Sequence, residues 1–155
     1  MRTGLAVIAI CAFAAPALAG LPNDGLRARD IADWLKHQHL EADVDPAGKG
    51  AVATVIRVQS PGAPFAVYLY DCKKDRCASM QYSLGLTAAQ GMTAARVNAW
   101  NRQSRYIRAY LDTSGRLWGE YDLDIAPGLD QKALDHSLKR WMSAAQRFRL
   151  FASLP

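Results

Sequence analysis

The sequence predicts an α+β fold: an antiparallel five-stranded sheet flanked by helices, in the order α-β-β-β-α-β-β-α. Three observations point there. Apolar residues recur at helical spacing in three stretches, 24–39, 93–103 and 130–154. Two blocks between them, 51–86 and 105–125, carry aromatic and β-branched runs or strict alternation instead. Within each block the runs are joined by short polar turns, which make neighbouring strands antiparallel.

Before the first element lies "MRTGLAVIAICAFAAPALAG". One positive residue (Arg2), an apolar run from Leu5 to Ala15, and Pro16 followed by a small-x-small site form a signal peptide over residues 1–19. The run is shorter than the roughly 20 apolar residues that a bilayer-spanning helix needs. Cleavage after Ala19 leaves residues 20–155 as a single domain with a real core, exported through the inner membrane to a bacterial periplasm. It also removes Arg2 and Cys11, lowering the formal net charge by one from +5 and leaving only Cys72 and Cys77. No later stretch is long and apolar enough to span a membrane. Modest positive charge outside the cytoplasm does not point to nucleic acid; it suits anionic envelope polymers or an acidic protein.

The first helix is expected over 24–39, "DGLRARDIADWLKHQH", where Leu26, Ile31, Trp34 and Leu35 share a face and Asn23 or Asp24 serves as N-cap. "EADVDPAGKG" at 41–50 reads as a breaker-rich connection. Strands follow at 51–59, 64–71 and 77–86, turning at "SPGA" and "KKDR". The second turn lies inside "DCKKDRC". Two thiols with no nearby histidine are too few for a structural zinc site, which takes four ligands. Four intervening residues are also too many for a thioredoxin-like motif. A four-residue hairpin connection would hold Cys72 and Cys77 about 4.5–5.5 Å apart at Cα, within disulfide range. In an oxidising compartment the pair forms a structural staple, contributing about 2 kcal/mol through loop closure.

"TAARVNAWNRQ" at 93–103 gives the second helix, with Thr93 as cap and Ala94, Val97 and Trp100 on one side. Residues 105–111 fit either a continued helix or a strand. The strand reading agrees with its surroundings. "DTSGR" suits a three-residue hairpin loop with Gly115 left-handed. Pairing Asp112 with Arg116 then sets Tyr110 against Trp118, Arg108 against Glu120 and Tyr106 against Asp122. Such cross-strand pairs contribute a few tenths to about 1 kcal/mol each. Ile107, Ala109, Leu111, Leu117, Tyr121 and Leu123 fall on the other, core-facing side. The last helix, 130–154, buries Leu134, Leu138, Trp141, Ala145 and Phe148, with Lys139, Arg140, Arg147 and Arg149 on its wetter side.

With these elements in place, "VNAWNRQSRYIRAYLDTSGRLWGEYDLDIAPG" resembles the central signature of the YbjN family, bacterial proteins named as sensory transduction regulators. The signature positions are Asn98, Trp100, Asn101, Arg102, Asp112, Gly115 and Asp122. "FAVYLYDCKKDRCASMQYSLGL" resembles the cysteine-containing hairpin of exported members, and "LKRWMSAAQRF" their last helix. The likeness covers residues 25–151. Ala99 departs from the Glu that many members carry. The resemblance implies a fold like that of type III secretion chaperones, and a regulatory role without a defined biochemical activity.

Two roles fit the signature. In the structural one, Trp100 fills core, Asn98 and Asn101 satisfy backbone groups at the helix-to-strand junction, and Arg102 pairs with Asp122 or Asp124. In the other, the same groups form a recognition surface. The sheet face carrying Tyr106, Arg108, Tyr110 and Trp118 is the candidate partner-binding surface, since Tyr, Trp and Arg are enriched at interface hot spots. A face covered by one of the protein's own helices, or an ordinary solvated face, is the bland alternative.

Catalytic patterns are missing: no Gly-x-Ser-x-Gly elbow, no phosphate loop, no His-Glu-x-x-His. Glu120, Asp122 and Asp124 lie along a straight strand rather than a bent calcium loop. The histidines in "HQHLEADVD" at 37–45 read as a helix end running into an acidic loop. No catalytic residue, metal or cofactor is therefore expected. The expected function is that of a non-enzymatic, chaperone-like interaction module with a protein partner, and a homodimer as a further option. The alternative is a binding protein for an anionic envelope component or small molecule, using the basic side of the last helix.

Overall fold

The computed structural model describes residues 21–45 and 53–154, so the expected signal peptide lies outside the described residues. The elements are β1 (Leu26–Arg27), α1 (Ala28–His37), β2 (Glu41–Asp45), β3 (Thr54–Gln59), β4 (Phe65–Lys73), β5 (Arg76–Leu86), α2 (Ala94–Gln103), β6 (Arg108–Leu111), β7 (Leu117–Asp124) and α3 (Gln131–Ser153). Seven strands, not five, form one antiparallel sheet in the order β2-β3-β4-β5-β7-β6, with β1 pairing β5 beside this path.

The two extra strands correct the sequence reading. Glu41–Asp45 is not a connection. It pairs with β3 from Glu41↔Gln59 to Asp45↔Val55. Its period-2 pattern turns Ala42 inward, 1 % exposed, and points acids outward, with Asp45 accepting from Arg57 Nε at 2.6 Å. The breakers that follow Asp45 mask this alternation in the sequence. Upstream, α1 begins at Ala28 rather than 24. Gly25 takes φ +93 with its α-carbon against the Cys77 carbonyl, which sends Leu26 and Arg27 into register with Cys77 and Arg76. Arg27, not Asn23 or Asp24, is the N-cap, and its N–H donates to Asp30 Oδ2 at 3.3 Å.

The β4–β5 hairpin is tighter than expected. Lys73 pairs with Arg76 across a two-residue turn, Lys74–Asp75, with Lys74 at φ +58. Cys72 and Cys77 are directly opposed and joined by a disulfide, their Cα atoms 3.8 Å apart. The β6–β7 hairpin matches its expected register: Arg108↔Glu120 and Tyr110↔Trp118 pair, and Gly115 is left-handed at φ +78. The strand nevertheless starts at Arg108. Tyr106, at φ +77, breaks the extended backbone, so no Tyr106–Asp122 pair forms.

All three helices pack on one face of the sheet. Alternate residues of the central strands point into this layer: Ile56 and Val58, Phe65, Val67 and Leu69, Met80, Tyr82 and Leu84. Facing them are Ile31 and Leu35 of α1 and the expected stripe of α3, all buried. The Tyr82 ring stacks on Trp141 at 5.4 Å between centroids. Ser137 Oγ donates to the Leu134 carbonyl, so the Tyr82 hydroxyl, 2.9 Å away, donates to Ser137. Burial pushes the Tyr82 pKa well above the ordinary phenol value. Helices α1 and α3 are tied together by Asp135, whose Oδ1 accepts from Trp34 Nε1 (2.9 Å), Gln38 Nε2 (3.4 Å) and Gln131 Nε2 (2.9 Å). Among the described residues, no element covers the other face of the sheet.

Candidate interaction face

The uncovered face is organised around one turn. Asp112 closes the β6–β7 hairpin: Oδ1 accepts from the Ser114 and Arg116 backbone N–H groups, each at 2.9 Å, and from Ser114 Oγ at 2.6 Å. Its second oxygen accepts from Trp118 Nε1 at 2.8 Å. The Ser114 and Trp118 side-chain donors, with the Arg116 N–H, stabilise the carboxylate and lower its pKa to about 2.

Trp118 is thereby fixed on a strand surface. Its ring lies over Gly85 of β5, where an added Cβ would fall 2.8 Å from Cζ3. The Arg116 guanidinium sits 5.2 Å from the indole centroid and donates to the Gly85 carbonyl at 3.1 Å. The indole is held by its N–H, by its contact with Gly85 and by a stacked cation, so little rotamer freedom remains to be lost on contact with a partner. Beside it, Tyr110 donates its hydroxyl to Glu120 Oε1 at 2.9 Å, and Arg108 Nη2 donates to Glu120 Oε2 at 2.7 Å. Burial, followed by the hydrogen bond to Glu120, raises the Tyr110 pKa to about 12. The same face continues over β4 and β3. A depression of about 330 Å³ there is lined by Arg57, Tyr68, Ser83, Gly85, Arg116 and Trp118 among others.

Three of the four residues expected to form a patch, Arg108, Tyr110 and Trp118, stand together. Tyr106 does not join them. Its ring packs edge-on to Tyr121 at 6.1 Å, with the Arg140 and Arg105 guanidiniums 4.5 and 5.1 Å from its centroid, on the helix-covered side. Sequence reasoning missed Arg57, Tyr68 and Arg116. The alternation Phe65, Val67, Leu69 against Ala66, Tyr68, Tyr70 already placed Tyr68 opposite the core, but its neighbours depend on β5 lying between β4 and β7.

The signature residues divide in the same way. Asn101 is structural: Oδ1 accepts from the Ala109 N–H at 2.8 Å and Nδ2 donates to its carbonyl at 3.0 Å, as a neighbouring strand would. Trp100 packs into aromatic core, its ring 4.9 Å from Phe151 and 5.4 Å from Phe148. Asn98 and Arg102 are exposed. Arg102 forms no ion pair with Asp122 or Asp124; instead Asp122 accepts from Gln81 Nε2 at 2.7 Å. Glu120, Asp122 and Asp124 are strung along β7, and among the described residues no three His, Cys, Asp or Glu gather as metal ligands.

No curated protein matches the chain. The family model YbjN, described as "Putative bacterial sensory transduction regulator", matches residues 28–151. That match takes in every element from α1 through most of α3, including both hairpins that build the face, and the chain belongs to the YbjN family.

Proposed function

We propose that the chain is a non-enzymatic, chaperone-like interaction module, one domain over residues 20–155, exported to the periplasm and binding a protein partner through the open sheet face. The observation that carries this reading is the immobilised Trp118, held by Asp112, Arg116 and Gly85 beside Tyr110 and Arg108 on an uncovered face. Rigid aromatic anchors next to arginine are the groups that dominate binding energy at protein interfaces. Family membership supports a regulatory rather than catalytic role. The Cys72–Cys77 disulfide supports an oxidising compartment. No helix among the described residues is long and apolar enough to cross a membrane.

The test is in-cell crosslinking of the tagged, exported protein followed by mass spectrometry. A single protein captured by wild type and lost with Trp118→Ala or Arg108→Glu, both still folded, is the expected result. Equal capture by wild type and both variants would remove the face from the reading. A second copy of the chain as the captured protein would make the face a homodimer interface.

A further inference from the structure

The solvent side of α3 carries a charge pattern that α1 and the sheet do not share. Lys132, Lys139, Arg140 and Arg147 recur at helical spacing within its 23 residues, and all four are exposed. Leu150 and Leu154 continue the same stripe; at 63 % and 56 % they are the most exposed large hydrophobic residues described. No acid interrupts the stripe. Asp130 serves as N-cap, accepting from the Ala133 N–H, and Asp135, the one acid within α3, is turned towards α1. Helix α2, stacked against the end of α3 through Trp100 and Phe151, adds Arg96 and Arg102 and contains no acid.

Ion pairing is segregated in the same way. Among the described residues, all six ion pairs use Arg27, Arg29, Lys36, Arg57, Arg76 or Arg108, on α1 or the strands. None uses a cation of α2 or α3. Arg140 instead lies 4.5 Å from the ring centroid of Tyr106, itself 39 % exposed, and Arg147 Nη1 donates back to Ser143 Oγ. The positive charge of this layer is therefore left uncompensated by carboxylates. It also stands on the convex outer side of a helix about 35 Å long, with no walls to enclose a single anion. Such an array is suited to negative charge spread over a surface rather than gathered in one group. The two leucines narrow the choice further. Apolar side chains beside a basic stripe gain from reaching the acyl boundary beneath lipid headgroups, and a soluble polyanion offers them nothing.

We propose that the outer side of α3 lies on the surface of an anionic phospholipid bilayer, with its lysines and arginines among the headgroup phosphates and Leu150 and Leu154 at the acyl boundary. Each lysine or arginine near such a surface raises affinity about fivefold, so a stripe of this size suffices for reversible adsorption. The stripe faces away from the open sheet face. Bilayer contact leaves Trp118 free for a protein partner, and the proposal does not rest on the interaction-module reading.

The experiment is co-sedimentation of the oxidised mature chain with vesicles of phosphatidylcholine, alone or mixed equally with phosphatidylglycerol. Binding is expected to the mixed vesicles only, weakening at least about tenfold from about 0.05 M to about 0.5 M salt. Arg140→Gln with Arg147→Gln should lower affinity at least about tenfold, and Leu150→Ser with Leu154→Ser several-fold. Arg57→Gln with Arg116→Gln removes the same two charges from the open sheet face and should stay within about twofold of wild type. The lipid comparison needs no substitution, so it decides the matter even if a variant folds poorly. No preference for the mixed vesicles, equal losses from the two arginine pairs, or leucine variants that bind like wild type would overturn the proposal. Soluble poly-glutamate bound as tightly as the mixed vesicles would also overturn it, making the stripe a site for an acidic protein.

Discussion

Asn101 shows how one side chain can stand in for a strand. Strand β6 is the last in the sheet, and its outer edge would leave the N–H and C=O of Ala109 unpaired although the residue is only 4 % exposed. The Asn101 amide meets both groups, which no carboxylate or hydroxyl of similar size does as well. Asn101→Asp keeps the acceptor and loses the donor, so it should cost about 1 kcal/mol; Asn101→Leu loses both and should cost about 2–4 kcal/mol. Urea denaturation of the two variants checks the ranking, and equal effects would show that the clamp is not the cause. Asp112 gives a prediction in pH. Its carboxyl pKa is depressed to about 2, so the turn's stabilisation is full above the ordinary carboxylate value near 4 and fades as pH falls through about 2. The Trp118 Nε1–H resonance, bonded to Asp112, should therefore titrate with a midpoint near 2 rather than near 4.

Elements depend on close approach as much as on periodicity. Helix α3 comes down onto β7 at Gly119, where a Cβ would lie 2.5 Å from Phe148 Cε1 and 3.0 Å from Ile107 Cγ2. Gly119→Ala should cost about 1–3 kcal/mol by overpacking, measured as a lower denaturation midpoint. The cystine hairpin holds a second element. Cys77 and Arg76 pair with β1, and Arg27 Nε lies 2.7 Å from Asp75 at the hairpin tip. Replacing both cysteines by serine should cost about 2 kcal/mol and speed amide exchange at residues 25–27 as well as in the hairpin; exchange unchanged at 25–27 would uncouple the two. Helices were readable because their stripes are long: every residue of the expected α3 stripe is buried. The short strands were not. β2 and β1 have five and two residues, too few for alternation to stand out against neighbouring Pro, Gly and Asp. Tyr106 was misplaced because alternation in "SRYIRAYL" carries no mark of its positive φ.

At the scale of the molecule, the one-sided packing of helices is what makes a face available, and the order of the strands decides which residues share it. The β6–β7 hairpin register was local information, so Arg108, Tyr110 and Trp118 were legible together. Tyr68 and Arg57 join them only through β5 pairing β7, a contact between distant parts of the chain that no local pattern encodes. The same topology separates Tyr106 from the patch and sets it against Arg140 on the helix side. This separation makes the interaction reading discriminating among four aromatic residues. Partner capture should weaken most for Trp118→Ala, by about 2 kcal/mol or more, and clearly for Tyr68→Ala and Tyr110→Ala. Tyr106→Ala, on the opposite side, should leave affinity within about 0.5 kcal/mol of wild type, as contacts outside a hot spot do. Affinities measured on purified, folded variants with the captured partner would show whether the ranking follows the face. If Tyr106 proved as costly as Trp118, the partner would have to reach round β6 to the helix layer, and the open face alone would not explain binding.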